Sequence, residues 1–298
     1  LAQTSLLIHK TKSNTFNVFS SRWVIPILLA PALIILIGVF FIPMMLMFIQ
    51  SLIDEQSNFT IANYLVFFQE PFYWGVLWQT IKISSLTVLG TLILSYPVAM
   101  FMAGSTGKIR AIVTFLVLLP HLVSVVIRNF GWTIILNERG LINTFLLEIG
   151  IINQPLRLMY NELGTVIGLV DSFVAYMILA IATSLYSINP SLYKAGAIMG
   201  ANRLRCFFSI TFPLSLPGVY SGIVLVFSLS MSAFVTPTLL GGTSVKVMPT
   251  LTYQQIMFTL NWPLGAAISF VLLASTILLV STFTKLTETK RYKEVFKS

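Results

Sequence analysis

The chain has 298 residues, 56% of them hydrophobic and 9% charged, with a formal net charge of +9 and a mean hydropathy of +0.90. A soluble domain carries about a quarter charged residues, so this deficit excludes an ordinary water-soluble globular protein. It also excludes nucleic acid, the partner that so basic a soluble chain would suggest. A single cysteine, Cys206, excludes an intrachain disulfide framework.

Residues 1–22 hold Lys10, Lys12 and Arg22 and form a predicted cytoplasmic N-terminal segment. Beyond it, uncharged runs at 23–53, 83–107, 206–245 and 247–284 each meet or exceed the roughly 20 residues that cross a bilayer. The expected fold is therefore all-α and polytopic. Six transmembrane helices are predicted, at 23–50, 74–103, 110–136, 163–187, 215–238 and 264–285. The apolar part of the first is too long for a signal peptide, and no small-residue cleavage pattern follows Gln50, so it reads as a retained span.

The loop after the first span carries Asp54, Glu55 and Glu70 and no cation. Either topogenesis alone accounts for this, or the loop sets a field that favours cationic solutes at the outer mouth. After the second span, "GSTGK" at 104–108 imitates a phosphate loop. That loop needs glycine five residues before the Gly-Lys pair and Ser or Thr after the lysine; Met102 and Ile109 stand there. The stretch is a basic turn, and the chain is not expected to bind ATP.

The third and fourth spans each contain one charge, Arg128 and Asp171, and the second contains Lys82. Ionisable groups at such depth face protein or water and often mark a pathway. Each lies about eight residues inside the outer end of its predicted span, which predicts one common depth of roughly 12 Å. Gly164, Gly168 and Ala175 share a helical face with Asp171 and predict a helix–helix contact there. Two readings of Asp171 stand: an ion pair with Arg128, or a cavity-lip anion that attracts an ammonium group beside Phe173 or Tyr176. Lys82 is expected to snorkel towards the headgroups. His121, after Pro120, reads as a packed polar residue. With His9 so far away, no metal cluster is implied, and no Ser–His–Asp grouping suggests an enzyme.

Between the fourth and fifth spans the text changes to "YKAGAIMGANRLRCFFSITFPLSLPGV", residues 193–219. Asn189-Pro190 signals a capped helix start, and Gly200 a stop about ten residues later. Asn202 caps a second short helix bearing Arg203, Arg205, Phe207 and Phe208, after which Pro213 and Pro217-Gly218 are expected to break the chain before the fifth span. The product is a helix–turn–helix platform at about 189–212 with an apolar face (Leu192, Ala195, Ile198, Met199) and a basic rim. An amphipathic loop resting on lipid headgroups is the plainer alternative. The six-span domain then runs over 23–285, and a basic tail follows at 286–298.

Thirteen of the eighteen Lys and Arg residues fall on the side that holds the N-terminus and three on the other, with two inside spans. The positive-inside rule places both termini in the cytoplasm.

The segment from Lys194 resembles the "EAA" loop of the membrane subunits of bacterial ABC importers. Lys194-Ala195-Gly196 take its first three places, Gly200 the seventh, Ile210 the seventeenth and Pro213 the twentieth. Two residues depart from the pattern: Lys194 reverses the usual glutamate charge, and Phe212 replaces the leucine before proline. "PALIILIGVFFIPMMLMFIQSL", "SYPVAMFMA", "LLPHLVSVVIRNFGW", "SAFVTPTLLGG" and "NWPLGAAIS" are similar to the spermidine/putrescine branch, and together cover most of the chain from 24 to 280. Relatives of that branch are associated with ferric ion, opines or aminophosphonates.

The resemblance implies a type I (MetI-like) ABC importer permease in a bacterial inner membrane, without a cofactor of its own. ATP and Mg would sit on two partner ATPase subunits, beside a second permease of the same fold and an extracytoplasmic solute-binding protein. The loop residues Tyr193, Lys194, Ala195, Gly196, Gly200, Arg203, Arg205, Ile210 and Pro213 would couple to the ATPase. Asp171, Phe173, Tyr176, Arg128 and Phe234 are the expected substrate-pathway residues, for a polyamine or related amino-bearing solute. A secondary transporter driven by an ion gradient is the rival, but it needs coupling carboxylates near the midplane, and only Asp171 is available.

Overall fold

A computed structural model of the chain describes residues 24–54 and 58–287. Glu55, the 1–22 segment with its three cations, and the tail beyond residue 287 lie outside the described residues. The chain divides into two units, residues 1–49 and 50–298. The described residues of the first, 24–49, are all helical and belong to the first span's helix, α1, which carries one π-helical turn at Leu36–Phe41 and ends at Ser51.

The second unit is helical throughout its regular elements, apart from one isolated bridge between Ile53 and Phe59. A short helix, α2 (Ala62–Gln69), leads into α3 (Pro71–Gly104), and Pro71 occupies a first-turn position where its missing N–H costs nothing. A bent pair, α4 (Gly107–Leu122) and α5 (Val125–Leu136), is followed by the short α6 (Leu141–Glu148). Then come α7 (Glu162–Tyr186), α8 (Pro190–Ile198), α9 (Arg203–Met231), α10 (Met248–Met257) and α11 (Trp262–Thr287). Among the described residues five helices are long and apolar enough to cross a membrane, and six if the bent pair counts as one span.

The scaffold is the packing of α3, α7 and α9. Lys82 pairs with Glu162, Gly90 faces Val170, and the Ser95 hydroxyl donates to the Val174 carbonyl at 3.1 Å. The sequence offset is 79 or 80 at all three points, so α3 and α7 run parallel in one fixed register. In contrast, Gly218 lies against Ala180 and Ser184 while Gly222 lies against Met177, so α9 runs antiparallel to α7. Met102, Met177, Ile181, Leu185, Val219 and Val226 form the core of this trio. Inside it Thr87 and Thr91 donate back to the carbonyls of Ile83 and Thr87 on their own helix, whereas the buried Ser84 and Ser230 hydroxyls have no partner among the described residues. A second cluster, with Phe67, Tyr73, Leu77, Met248, Leu251 and Ile268, ties α2, α3, α10 and α11 together. Thr80 joins the two regions by accepting from the Met248 N–H at 2.9 Å.

Two predicted spans are corrected. The third is not one straight helix over 110–136: α4 and the helical stretch Val125–Glu148 that α5 opens meet at a bend of 92°. Pro120 lacks an N–H and clashes with the preceding turn; the chain tightens into a 3-10 turn at Leu119–Leu122, then passes through two extended residues, Val123 and Ser124. The fifth does not span the predicted 215–238: its helix begins at Arg203 and ends at Met231. Pro213 and Pro217 do not break it. A π-helical turn at Phe207–Thr211, in which the Phe212 N–H reaches back to the Phe207 carbonyl, precedes Pro213 and absorbs the misfit. At the other end the helix stops at Met231; after a break at 232–234 the chain is helical again from 235, with Thr236 in αR geometry, and runs into a π turn at Pro237–Gly241. The second platform helix is thus the first turn of α9 itself.

Candidate translocation site

The breaks in the third and fifth spans meet. Around them lies a cavity of about 640 Å³, lined by His121, Ser124 and Arg128 at the first break, Phe234 and Thr236 at the second, and Ser172, Phe173 and Tyr176 from α7. Ser172 to Tyr176 occupy the middle of the 25-residue α7. Irregular backbone at such depth is tolerated only where protein buries it or where it borders a water-filled space; a cavity with hydroxyl, guanidinium and imidazole groups on its wall meets that requirement.

Several contacts fix this wall. Asn129, almost wholly buried, donates to the Thr236 hydroxyl at 3.0 Å and so bridges the two breaks. Gly168 lets this bridge approach α7: a Cβ at that position would fall within 2.7 Å of Thr236 and closer still to Leu240. The small-residue face predicted around Asp171 is therefore a contact face, against the Pro237–Gly241 turn. At the far end of that turn the Tyr160 N–H donates to the Leu240 carbonyl at 2.8 Å. Phe234 stacks at a tilt on Tyr253 of α10, with centroids 4.8 Å apart.

The charges in the spans separate into two pairs. An Arg128 terminal nitrogen stands 3.4 Å from an Asp171 oxygen, with side chains 14% and 28% exposed. Lys82 binds Glu162 at 2.6 Å, with both side chains more open. Two expectations are corrected here. Lys82 does not simply snorkel, because a carboxylate on the neighbouring helix holds it. Nor do the three charges share one depth: the α3–α7 register sets Lys82 level with Glu162, nine residues, or about 13 Å, from Asp171.

Of the five expected pathway residues, Phe173, Tyr176, Arg128 and Phe234 line the cavity, and Asp171 stands behind Arg128. The sequence reading missed Ser124, Thr236 and the wall position of His121. The signal for them was the pair of prolines, Pro120 and Pro237, each next to a polar residue inside an apolar run.

At the opposite end of α7 the platform is built by backbone motifs. Asn189 accepts from the Ser191 N–H and Asn202 from the Arg205 N–H, capping α8 and α9. Gly200 has φ +74°, which favours glycine. Around it the Ala201 N–H bonds to the Gly196 carbonyl and the Gly200 N–H to the Ala197 carbonyl, the crossed pair that closes a helix end. Tyr193 and Thr211 share a hydroxyl–hydroxyl bond at 3.2 Å, and Ile210 packs on the scaffold core. Pro213 lies ten residues beyond the start of α9, whereas Lys194, Ala195, Arg203 and Arg205 are exposed. So are Ile198 and Met199, at 88% and 84%, and Phe208. An apolar surface so open, rimmed by cations, marks an interaction site. Among the described residues no group of His, Cys, Asp and Glu is arranged to hold a metal.

A bundle of this kind, with an exposed helix–turn–helix platform at one end and a cavity at the breaks of two spans, fits a membrane permease subunit. Residues 95–288 match the family of binding-protein-dependent transport system inner membrane components, and the chain belongs to that family. It is similar to the spermidine/putrescine transport system permease protein PotB of Haemophilus influenzae, 31% identical over 88% of this chain and 89% of that one. PotB of Escherichia coli is 32% identical over 72% of this chain and 78% of its own length. Among solved structures, a bacterial ABC transporter involved in the import of the acidic polysaccharide alginate shares the fold, with a TM-score of 0.75 at 20% identity, covering 90% of this chain and 96% of that one. The chain is thus a multi-pass permease subunit of an ABC importer in a bacterial inner membrane, and it is not itself an enzyme. The gradient-driven alternative is set aside.

Proposed function

We propose that this subunit carries polyamines, spermidine or putrescine, along a path through the cavity between the two broken spans. The observation that carries the reading is the likeness to the two PotB permeases across most of the chain. The cavity supports it chemically. Phe173, Tyr176 and Phe234 offer π-faces to ammonium groups, and the Arg128 charge is balanced by Asp171, so a polycation meets little net repulsion. Asp171 serves as the partner of Arg128.

The complete importer adds a second permease of the same fold, two ATPase subunits that bind ATP and Mg, and an extracytoplasmic solute-binding protein. Both termini face the cytoplasm, as the charge count predicts. The 189–212 loop seats on an ATPase subunit through Ile198, Met199 and Phe208, with Lys194, Arg203 and Arg205 at the rim. Closure of the ATPases moves α9, whose helix is continuous with the loop, and so biases access to the cavity from the two sides.

The test is ATP-dependent uptake of radiolabelled spermidine and putrescine into proteoliposomes holding the whole importer. Saturable uptake of at least one is expected. No uptake of either, with ferric ion, an opine or an aminophosphonate carried instead, overturns the solute assignment and leaves the permease assignment standing.

A further inference from the structure

The cavity wall continues in a file of aromatic rings. Phe234, half-buried on the wall, lies against Tyr253 of α10 with centroids 4.8 Å apart and planes at 48°. Tyr253 in turn meets Phe258, just past the end of that helix, at 5.9 Å and 74°. Exposure rises along the file, to 43% at Tyr253 and 74% at Phe258. The other face of α10 carries the packing, through the buried Met248 and Leu251, so the two outer rings add little to the core. Lipid is a poor cover for them. Gln254 and Thr259 are exposed on the same stretch, and polar groups are costly to place in hydrocarbon.

Phe258 is also fixed in position. Its N–H bonds to the Gln254 carbonyl at 3.0 Å, the Thr259 N–H to the same carbonyl at 3.2 Å and the Asn261 N–H to the Gln255 carbonyl at 2.9 Å. Within this turn Leu260 is held at φ +54°, a region that a bulky side chain rarely enters, and its exposed side chain gains no packing in return. Backbone strain of this kind gathers at functional sites.

Charge and spacing narrow the occupant. Residues 232–284 hold a single charge, Lys246. Its ammonium lies over the Phe72 ring at 5.2 Å, and among the described residues no cation stands over the rings of the file. Open π-faces without a competing cation attract organic ammonium groups. A chain of three or four methylenes sets two nitrogens about 5–6 Å apart at ordinary bond lengths, close to the steps between these rings.

We propose that Phe258, Tyr253 and Phe234 form an entry track, a binding site for alkylammonium groups that leads the solute from the end of the bundle opposite the platform into the cavity. Neighbouring amines of a polyamine rest against successive rings. The proposal rests on the polyamine reading and deepens it, by adding Tyr253 and Phe258 to the residues that receive the solute.

Two arms test it with the complete importer. In proteoliposomes, Tyr253→Phe keeps the π-face, and spermidine kcat/KM should stay within about twofold of wild type. Tyr253→Leu and Phe258→Leu keep apolar bulk and lose the face, and each should lower kcat/KM about threefold to tenfold. Mono-, di- and trifluorinated phenylalanines at position 258 withdraw charge from the ring at nearly constant shape, so kcat/KM should fall with each added fluorine. Wild-type kinetics in both leucine variants, or no trend with fluorine, overturn the proposal. The second arm does not require transport. In a Cys206→Ser background, a cysteine in place of Ala233, on the cavity wall beside Phe234, is modified by a cationic and by a neutral methanethiosulfonate of similar size. The ratio of the cationic to the neutral rate should fall about threefold or more when Tyr253→Leu and Phe258→Leu are added. An unchanged ratio overturns the proposal. If the wild type takes up no polyamine, the polyamine reading falls by itself, and this ratio still decides the track.

Discussion

The uninterrupted pair α3 and α7 and the interrupted spans around the cavity are made from similar residues and solve opposite problems. Along α3 and α7, threonine and serine hydroxyls return to backbone carbonyls, glycine meets valine, and three contacts hold one parallel register. Where α4 gives way to α5, and α9 to the Pro237–Gly241 turn, polar residues instead line a shared space; enclosed nitrogens of Arg128 and His121 lack hydrogen bonds there, as does the buried Ser84 hydroxyl on α3. The difference teaches that apolar content does not separate scaffold from pathway in this chain. Helix continuity does, because a broken span must find partners for its polar groups outside its own ladder.

Gly168 sits on the border of the two regions, so replacing it breaks the comparison most directly. Gly168→Val drives a branched side chain into Leu240 and Thr236, and overpacking of this kind costs about 1–3 kcal/mol. A clearly lowered melting temperature of the purified complex is expected, with loss of uptake as the Asn129–Thr236 bridge is displaced. Unchanged stability would mean that the Pro237–Gly241 turn is not held against α7.

The Arg128–Asp171 pair comes next. Asp171→Asn leaves the guanidinium with no counter-charge, and stability should fall; adding Arg128→Gln should restore part of it. Thermal unfolding of both singles and the double should give a coupling of about 0.5–3 kcal/mol. Additive losses would show that the two charges act independently, and normal stability with lost uptake in Asp171→Asn alone would return Asp171 to the role of solute contact.

At the platform, Gly200→Val forces a β-branched residue to φ +74°, a local cost of roughly 1–2 kcal/mol. The fold should survive, while solute-stimulated ATP hydrolysis and uptake separate. Wild-type uptake at the wild-type stimulation ratio would contradict the assignment of this loop as the coupling element. The smallest effect is expected at Lys82, whose partner Glu162 is as open as itself. Lys82→Met should shift stability by less than about 1 kcal/mol, and a larger drop in melting temperature would make that pair part of the scaffold.

The sequence disclosed whatever is settled within a few residues. Asn189, Gly200 and Asn202 announce their caps and turn, because a cap's side chain bonds the backbone two or three positions away. Spans two and six were legible because their apolar runs are long, whereas Asp171 interrupts that of span four. Pro120, Pro213 and Pro237 were not, for the same proline gives a 92° bend in one case and a continuous helix in another, depending on whether the preceding turn relaxes into π geometry. The Lys82–Glu162 pair and the wall position of His121 needed the register between helices, which sequence spacing does not hold.

The most direct test of the division between scaffold and pathway is thiol accessibility in a Cys206→Ser background, with the importer in membranes. Cysteines at Ser124 and Ala233, beside the two breaks, should react with a small cationic thiol reagent and be protected by spermidine. Cysteines at Thr87 and Ser95, in the packed pair, should stay unreactive. Equal labelling of all four positions, or labelling of the packed pair alone, would contradict the account.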